Sequence, residues 1–169
     1  MSLESVRAVI CDVDGVLTDG GIEIADDGLE TKRFHVWDGT GIKYLLRSGI
    51  QVAFLTGRTS RAVEHRAREL GVAHVRQGAK DKLPAYQELL AALGVSDAET
   101  CYIGDDLMDL PPMRRAGYAV AVGDARDEVR AAAHYVTHAP GGRGAVRELA
   151  ERLLKAQGKW ADIMRRYTA

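Results

Sequence analysis

Five aspartates stand in two short clusters, Asp12-Val13-Asp14-Gly15-Val16-Leu17-Thr18 and Gly104-Asp105-Asp106-Leu107-Met108-Asp109. Between them come Thr56-Gly57-Arg58 and Lys82. Asp12 and Asp14 are two positions apart, so on an extended chain both side chains leave the same face. One can attack while the other handles protons. Gly15 lets the backbone turn sharply just after them. If the segments meet, the site holds up to five carboxylates, a hydroxyl and an ammonium. Carboxylates so close repel, so either several are protonated or a cation sits among them. The ligands are hard oxygens with no nearby His or Cys, which argues against zinc. Magnesium suits them: it takes one or two carboxylates, keeps waters, and shares itself with substrate phosphate. The plainer reading is that Asp ends strands and caps turns. The order of the Thr, the Lys and the second acidic cluster speaks against it.

Each cluster follows an apolar run that reads as a short buried strand: Val6 to Val13, Gln51 to Leu55, and Thr100 to Ile103. Residues 20–37 read as a β-hairpin, with its turn near Asp26-Asp27-Gly28 and exposed apolar Ile22, Ile24, Phe34, Val36 and Trp37. Thr40 to Arg47 suits a short helix. Ser60 caps a helix with the stripe Ala62, Val63, Ala67 and Leu70, and Gly71 lies beyond its end. Ala73 to Val75 suits a strand, and Leu83, Tyr86, Leu90 and Leu93 mark an amphipathic helix stopped by Gly94. A helix closing over Met113 to Ala116 follows Pro111-Pro112. Strands at Tyr118 to Val122 and Tyr135-Val136 flank a helix near Asp127 to Ala133. Val146, Leu149, Leu153 and Leu154 mark a last helix. The segment from Lys159 carries Trp160, Ile163, Met164 and Tyr167 with no obvious core partner. This alternation predicts an α/β fold with a doubly wound parallel sheet, whose ligands sit at the carboxyl ends of strands.

The 169 residues suit a single domain, with a hairpin flap at about 20–37 and a C-terminal tail at about 138–169. Lys and Arg number 23 against 24 Asp and Glu, for a net charge of −1. Bulk charge therefore gives no reason to expect nucleic acid or an anionic membrane surface as a partner. No apolar run approaches the roughly 20 residues of a membrane span. No basic region precedes an apolar stretch near Met1, so no secretory signal is expected. Cys11 and Cys101 sit in apolar runs without a CxxC spacing, which predicts buried free thiols and fits a cytoplasmic location. The five histidines show no metal-ligand spacing.

The four segments, in this order, resemble the motifs of the haloacid dehalogenase superfamily of phosphohydrolases. The resemblance implies Asp12 as a nucleophile that forms an aspartyl-phosphate, and Asp14 as the acid and base. It implies Thr56 as a donor to the phosphoryl oxygens and Lys82 as a support for Asp12 and the phosphoryl charge. Magnesium would be held by Asp12, Asp105 and the backbone carbonyl of Asp14. Asp106 and Asp109 would hold the metal's waters or Lys82. Transport ATPases of the superfamily carry threonine at the position of Asp14, so phosphatase or mutase chemistry is expected. Little chain is left for a cap domain, because the hairpin, one helix and one strand fill the stretch from Asp14 to Thr56.

A closer resemblance is to the capless, tetrameric branch of the superfamily. It rests on Asp12 to Gly21, Phe34 to Ile42, Gln77-Gly78 with Asp81-Lys82-Leu83, Tyr102 to Leu110, and Gly141 to Glu148. That branch implies hydrolysis of 3-deoxy-D-manno-octulosonate 8-phosphate, used in lipopolysaccharide assembly; a nine-carbon keto-sugar acid 9-phosphate or another small phosphate ester is the alternative. It also implies a homotetramer built on the hairpins, with the glycine-rich tail reaching a neighbouring site. Gly57 and Arg58 stand at the mouth of the expected phosphate site. Arg58 and Arg66 can clamp a substrate carboxylate, although Arg66 can equally snorkel beside its helix's apolar stripe. The run Gly142-Arg143-Gly144 enters a helix and can offer N–H groups to substrate, or serve as a plain linker. Two other classes compete. A phospho-receiver domain places its acidic pair and phosphorylated Asp on different strands, unlike this order. A catalytically silent tetramerisation module would not need Asp12, Asp14, Thr56, Lys82 and Asp105.

Overall fold

The structure, a computed structural model, describes residues 2–168. The chain runs β1 (Ala8–Cys11), β2 (Glu23–Ile24), β3 (Glu30–Thr31), α1 (Val36–Arg47), β4 (Gln51–Leu55), α2 (Arg61–Leu70) and β5 (His74–Arg76). It continues with α3 (Lys82–Leu93), β6 (Thr100–Gly104), α4 (Leu110–Arg115), β7 (Tyr118–Ala121) and α5 (Asp127–Ala132). The last elements are β8 (Tyr135–Val136), α6 (Ala145–Ala156) and α7 (Trp160–Thr168).

Six strands form a parallel sheet in the order β5-β4-β1-β6-β7-β8. Every residue of β1, β6 and β7 is buried, because helices cover both faces of a parallel sheet. α1 packs on α2 and α6, while α4 packs on α3 and α5. These two sets take opposite faces, as right-handed crossovers running outward from a central strand require. Strand order reverses at β1, whose Ile10 lies beside Ala53 on one side and Tyr102 on the other. The crevice beyond the carboxyl ends of β1 and β6 is therefore the natural ligand position. The core is continuous around Ile10, Phe54, Leu55 and Ile103. Cutting one of these aliphatic side chains to alanine removes about 2–5 kcal/mol.

Several expectations hold closely. Gly71 and Gly94 close α2 and α3, and Cys11 and Cys101 are buried free thiols. No cap domain stands over the sheet among the described residues: the hairpin of β2 and β3, then α1, fill the chain between β1 and β4. No helix is long and apolar enough to cross a membrane among those residues.

Other expectations need correction. The hairpin's paired strands are only two residues each, and Val36 and Trp37 belong to α1 rather than to a strand. The Nδ1 of His35 accepts the Trp37 N–H at 3.2 Å and starts that helix four residues before Thr40. Phe34 packs partly against the core. Ser60 occupies its cap position without a side-chain cap bond; its own N–H donates to Gln77. The segment after Lys159 does find partners. Ile163 is buried, Trp160 packs edge-on against Tyr44, and the hydroxyls of Tyr44 and Tyr167 are 3.0 Å apart.

Candidate active site

β1 delivers Asp12 to the crevice. Its N–H still donates to the Ile103 carbonyl at 3.1 Å, so the sheet ladder fixes its backbone. The chain then curls, with Leu17 and Thr18 N–H groups both reaching the Val13 carbonyl. Gly15 turns at a φ of 93°, and a Cβ there would lie 2.1 Å from the Asp105 Oδ2. A side chain at this position would occupy the space of a site carboxylate, in a conformation that L residues avoid.

Lys82 opens α3, where the Asp81 carboxylate caps the Leu83 N–H. Its ammonium is buried, 2.8 Å from Asp12 Oδ1 and 2.6 Å from Asp109 Oδ1. Asp109 Oδ1 also accepts the Tyr102 hydroxyl at 2.7 Å, and its Oδ2 accepts the N–H groups of Asp105 and Asp106. Both Asp109 oxygens are thus occupied by the protein. Of the two roles left open for it, the geometry favours holding Lys82. Asp106 is exposed and caps the Leu107 N–H at 2.8 Å.

The acidic cluster as a whole fits a cation. One oxygen each from Asp12, Asp105 and Asp109 lie within 4.8 Å of one another. Asp105 Oδ1 is buried with no hydrogen-bond partner, an arrangement that costs free energy unless an ion or water completes it. Burial, then the Asp109 charge, pushes the Asp105 carboxyl up to about 7. Burial and Asp109 also raise Asp12 well above the usual range, against the opposing pull of Lys82. For Lys82, burial acts downward, but Asp12 and Asp109 outweigh it and the ammonium is held above its ordinary value. The donor set is all oxygen, as magnesium requires.

The other wall comes from β4 and the hairpin. The Thr56 hydroxyl donates to Asp14 Oδ2 at 3.3 Å and accepts the Arg58 N–H. Lys32, just after β3, places its ammonium against Asp14 Oδ1 and 3.1 Å from Glu30 Oε1. The other Glu30 oxygen binds the Arg58 guanidinium. Lys32 and Glu30 escaped the sequence reading. Their spacing of two puts both on one side of the strand, but nothing local says that the hairpin folds back over β1.

A cavity of about 270 Å³ opens over Asp12, Asp14, Thr56, Lys82 and Asp105, and Gly57, Arg58, Asp106 and Asp109 also line it. Arg66 lies elsewhere. It sits 5.7 Å over the Phe34 ring and pairs with Glu69. The glycine run is docked within its own chain. A Cβ on Gly141 would lie 1.7 Å from the Gly15 carbonyl, and the Gly142 N–H donates to the Val16 carbonyl at 2.8 Å. The expectation that the N–H groups entering α6 face substrate needs correction. Gly144 and Arg147 give theirs to the two oxygens of buried Asp38, both at 3.0 Å. Arg143 lines a separate cavity beside Asp19, Arg33 and Trp37.

A family model described as haloacid dehalogenase-like hydrolase matches residues 73–148. The 3-deoxy-D-manno-octulosonate 8-phosphate phosphatase KdsC of Yersinia pestis is 50% identical over 155 residues, covering 92% of this chain and 83% of the relative. Among solved structures, the Moraxella catarrhalis 3-deoxy-D-manno-octulosonate 8-phosphate phosphatase, in complex with a magnesium ion, a phosphate ion and KDO, superposes with a TM-score of 0.96. It is 42% identical and the match covers 98% of this chain and 95% of the other. The cobalt-bound Haemophilus influenzae deoxy-D-mannose-octulosonate 8-phosphate phosphatase gives 0.92 at 43% identity, with 94% and 93% covered.

Proposed function

Since this chain belongs to the 3-deoxy-D-manno-octulosonate 8-phosphate phosphatase family of haloacid dehalogenase-like hydrolases, we propose that it hydrolyses that ester, with magnesium, to 3-deoxy-D-manno-octulosonate and phosphate. The observation that carries the reading is the convergence of Asp12, Asp14, Thr56, Lys82 and Asp105 on one cavity. Asp12 attacks phosphorus and becomes an aspartyl-phosphate. Lys82, steadied by Asp109, offsets the repulsion between that carboxylate and the anionic ester. Thr56 donates a hydrogen bond to the transferring phosphoryl group. Asp14 gives a proton to the sugar oxygen as the P–O bond breaks, then takes one from the water that attacks the acyl phosphate. Asp12, Asp105 and the Asp14 carbonyl would hold magnesium, which supplies the positive charge that phosphoryl transfer needs.

Arg58 lines the cavity and is the residue here that suits the substrate carboxylate; Glu30 occupies its guanidinium in the free protein. A monomer leaves the cavity open to water, so a neighbouring subunit is the economical cover. Ile22, Ile24, Leu29, Val36 and Trp37 are exposed on the hairpin and the start of α1, which supports a homotetramer joined there. The Gly142 and Gly144 N–H groups are taken, so Arg143 is the tail residue free to reach a neighbour's site. Buried free thiols fit a reducing cytoplasm.

Phosphate release from eight-carbon and nine-carbon keto-acid phosphates and simple sugar phosphates, with magnesium and with chelator, tests the reading. A magnesium-dependent preference for the eight-carbon acid is expected. A preference for the nine-carbon acid would keep the phosphatase and replace the substrate. Release from no ester by folded protein would leave the silent module.

A further inference from the structure

We propose that Glu30 holds Arg58 as a stand-in for the substrate carboxylate and is displaced when that carboxylate arrives, so that the hairpin tunes substrate choice. The proposal rests on the reading of Arg58 as the residue that binds the substrate carboxylate. Most of the hairpin faces outward: Ile24, which pairs with Glu30 across the strands, is 65% accessible, and Leu29 61%. The Glu30 side chain is only 20% accessible and turns back toward the loop after β4. One of its oxygens accepts a hydrogen bond from a terminal nitrogen of Arg58, and the other lies 3.1 Å from the Lys32 ammonium. The Arg58 contact holds the Glu30 carboxyl below its ordinary value, so it is an anion at neutral pH. The Arg58 backbone is fixed in turn, its N–H donating to the Thr56 hydroxyl at 3.3 Å. The cavity wall therefore already carries a carboxylate seated on the guanidinium, next to the expected phosphoryl position.

Two features make that seat exchangeable. Glu30 takes one nitrogen with one oxygen, whereas an arriving carboxylate can take two N–H groups of the guanidinium in parallel. The Arg58 side chain is 43% accessible, and an ion pair so open to water is weak. Lys32 gives Glu30 a second partner, so leaving Arg58 does not strand its charge. A substrate anchored by its phosphate presents its carboxylate at high effective concentration and wins the exchange. A small free anion has no such anchor, and Glu30 keeps it off Arg58. Every acid that enters must break the Glu30 pair, while a neutral analogue need not.

The test is a double-mutant cycle on the preference for the acid. That preference is kcat/KM for 3-deoxy-D-manno-octulosonate 8-phosphate divided by kcat/KM for its C1 carboxamide, which keeps the shape without the charge. Glu30→Gln should raise the ratio by at least about threefold, with the gain in the KM of the acid rather than in kcat. Arg58→Met should lower the ratio by at least about tenfold. In the Arg58→Met background, Glu30→Gln should move it by less than about 1.5-fold. An equal rise in both backgrounds would overturn the proposal and leave Glu30 as a bare repulsive charge. A fall with Glu30→Gln would overturn it too, making Glu30 a support that positions Arg58. If Arg58→Met leaves the ratio unchanged, or the unaltered protein does not turn over the acid, the underlying reading fails and the proposal with it. If Arg58→Met lowers the ratio and Glu30→Gln does not raise it, the exchange alone fails. Should Glu30→Gln not fold, Glu30→Asp keeps the charge near Lys32 and withdraws it from Arg58 by one methylene. It should raise the ratio to a smaller degree, and an unchanged ratio there overturns the proposal equally.

Discussion

Asp106 and Asp109 differ by three positions and by almost everything in their surroundings. Asp109 is fully buried and ties together Lys82, Tyr102 and two backbone N–H groups. Asp109→Ala leaves Lys82 with one partner fewer in a buried site, and a loss of about 3–5 kcal/mol in urea unfolding is expected. Asp106→Ala removes only an exposed cap, and about 1 kcal/mol is expected. Equal losses would contradict this division of roles. The sequence made Asp12, Asp14, Thr56, Lys82 and Asp105 legible because their chemistry is carried by residue type, spacing and order along the chain. It could not separate Asp106 from Asp109. That distinction lies in which carboxylate faces Lys82 and Tyr102, and both contacts come from distant elements. Lys32 was invisible for the same reason: its partner is chosen by where the hairpin folds.

At the scale of elements, the loop before α6 and the loop after β1 act as one unit. Gly141 touches the Gly15 carbonyl, and Asp38 at the start of α1 receives the first N–H groups of α6. Gly141→Ala should therefore push these loops apart, costing about 1–3 kcal/mol. It should lower turnover as well, because Gly15 borders Asp105; unchanged melting temperature and turnover would contradict the coupling. The strands of the parallel sheet and most helices were legible from apolar periodicity and glycine stops, while the order of strands across the sheet was not. The start of α1 was not. Val36 and Trp37 lie exposed at the helix N-terminus and follow a hairpin, so their apolar pattern reads as strand. Only the His35 cap reveals the turn into helix. The docking of α7 was hidden too, since its partner Tyr44 lies far away on α1.

At the scale of the whole molecule, the exposed apolar surface around Trp37 and Ile24 should be covered by other copies of the chain. A Trp37→Lys, Ile24→Lys double variant should shift the mass measured by light scattering from that of the proposed tetramer toward smaller species. An unchanged mass would place the interface elsewhere. Magnesium should be coupled to pH. The Asp105 carboxyl is raised from 3.8 to about 7, so between those values the folded protein keeps a proton that the unfolded chain has released. That group's contribution to stability therefore falls as pH rises through the window, and the ionised site is the one that binds a cation. The rise in melting temperature on adding magnesium should be larger at about pH 8 than at about pH 5.5; equal rises would contradict the carboxylate cage. The most direct test of the account is phosphate release from 3-deoxy-D-manno-octulosonate 8-phosphate by Asp12→Asn, with magnesium and with the fold verified. The account predicts a loss of at least about a thousandfold, because the nucleophile is gone while the rest of the cavity remains. Turnover within about tenfold of the unaltered protein would contradict it.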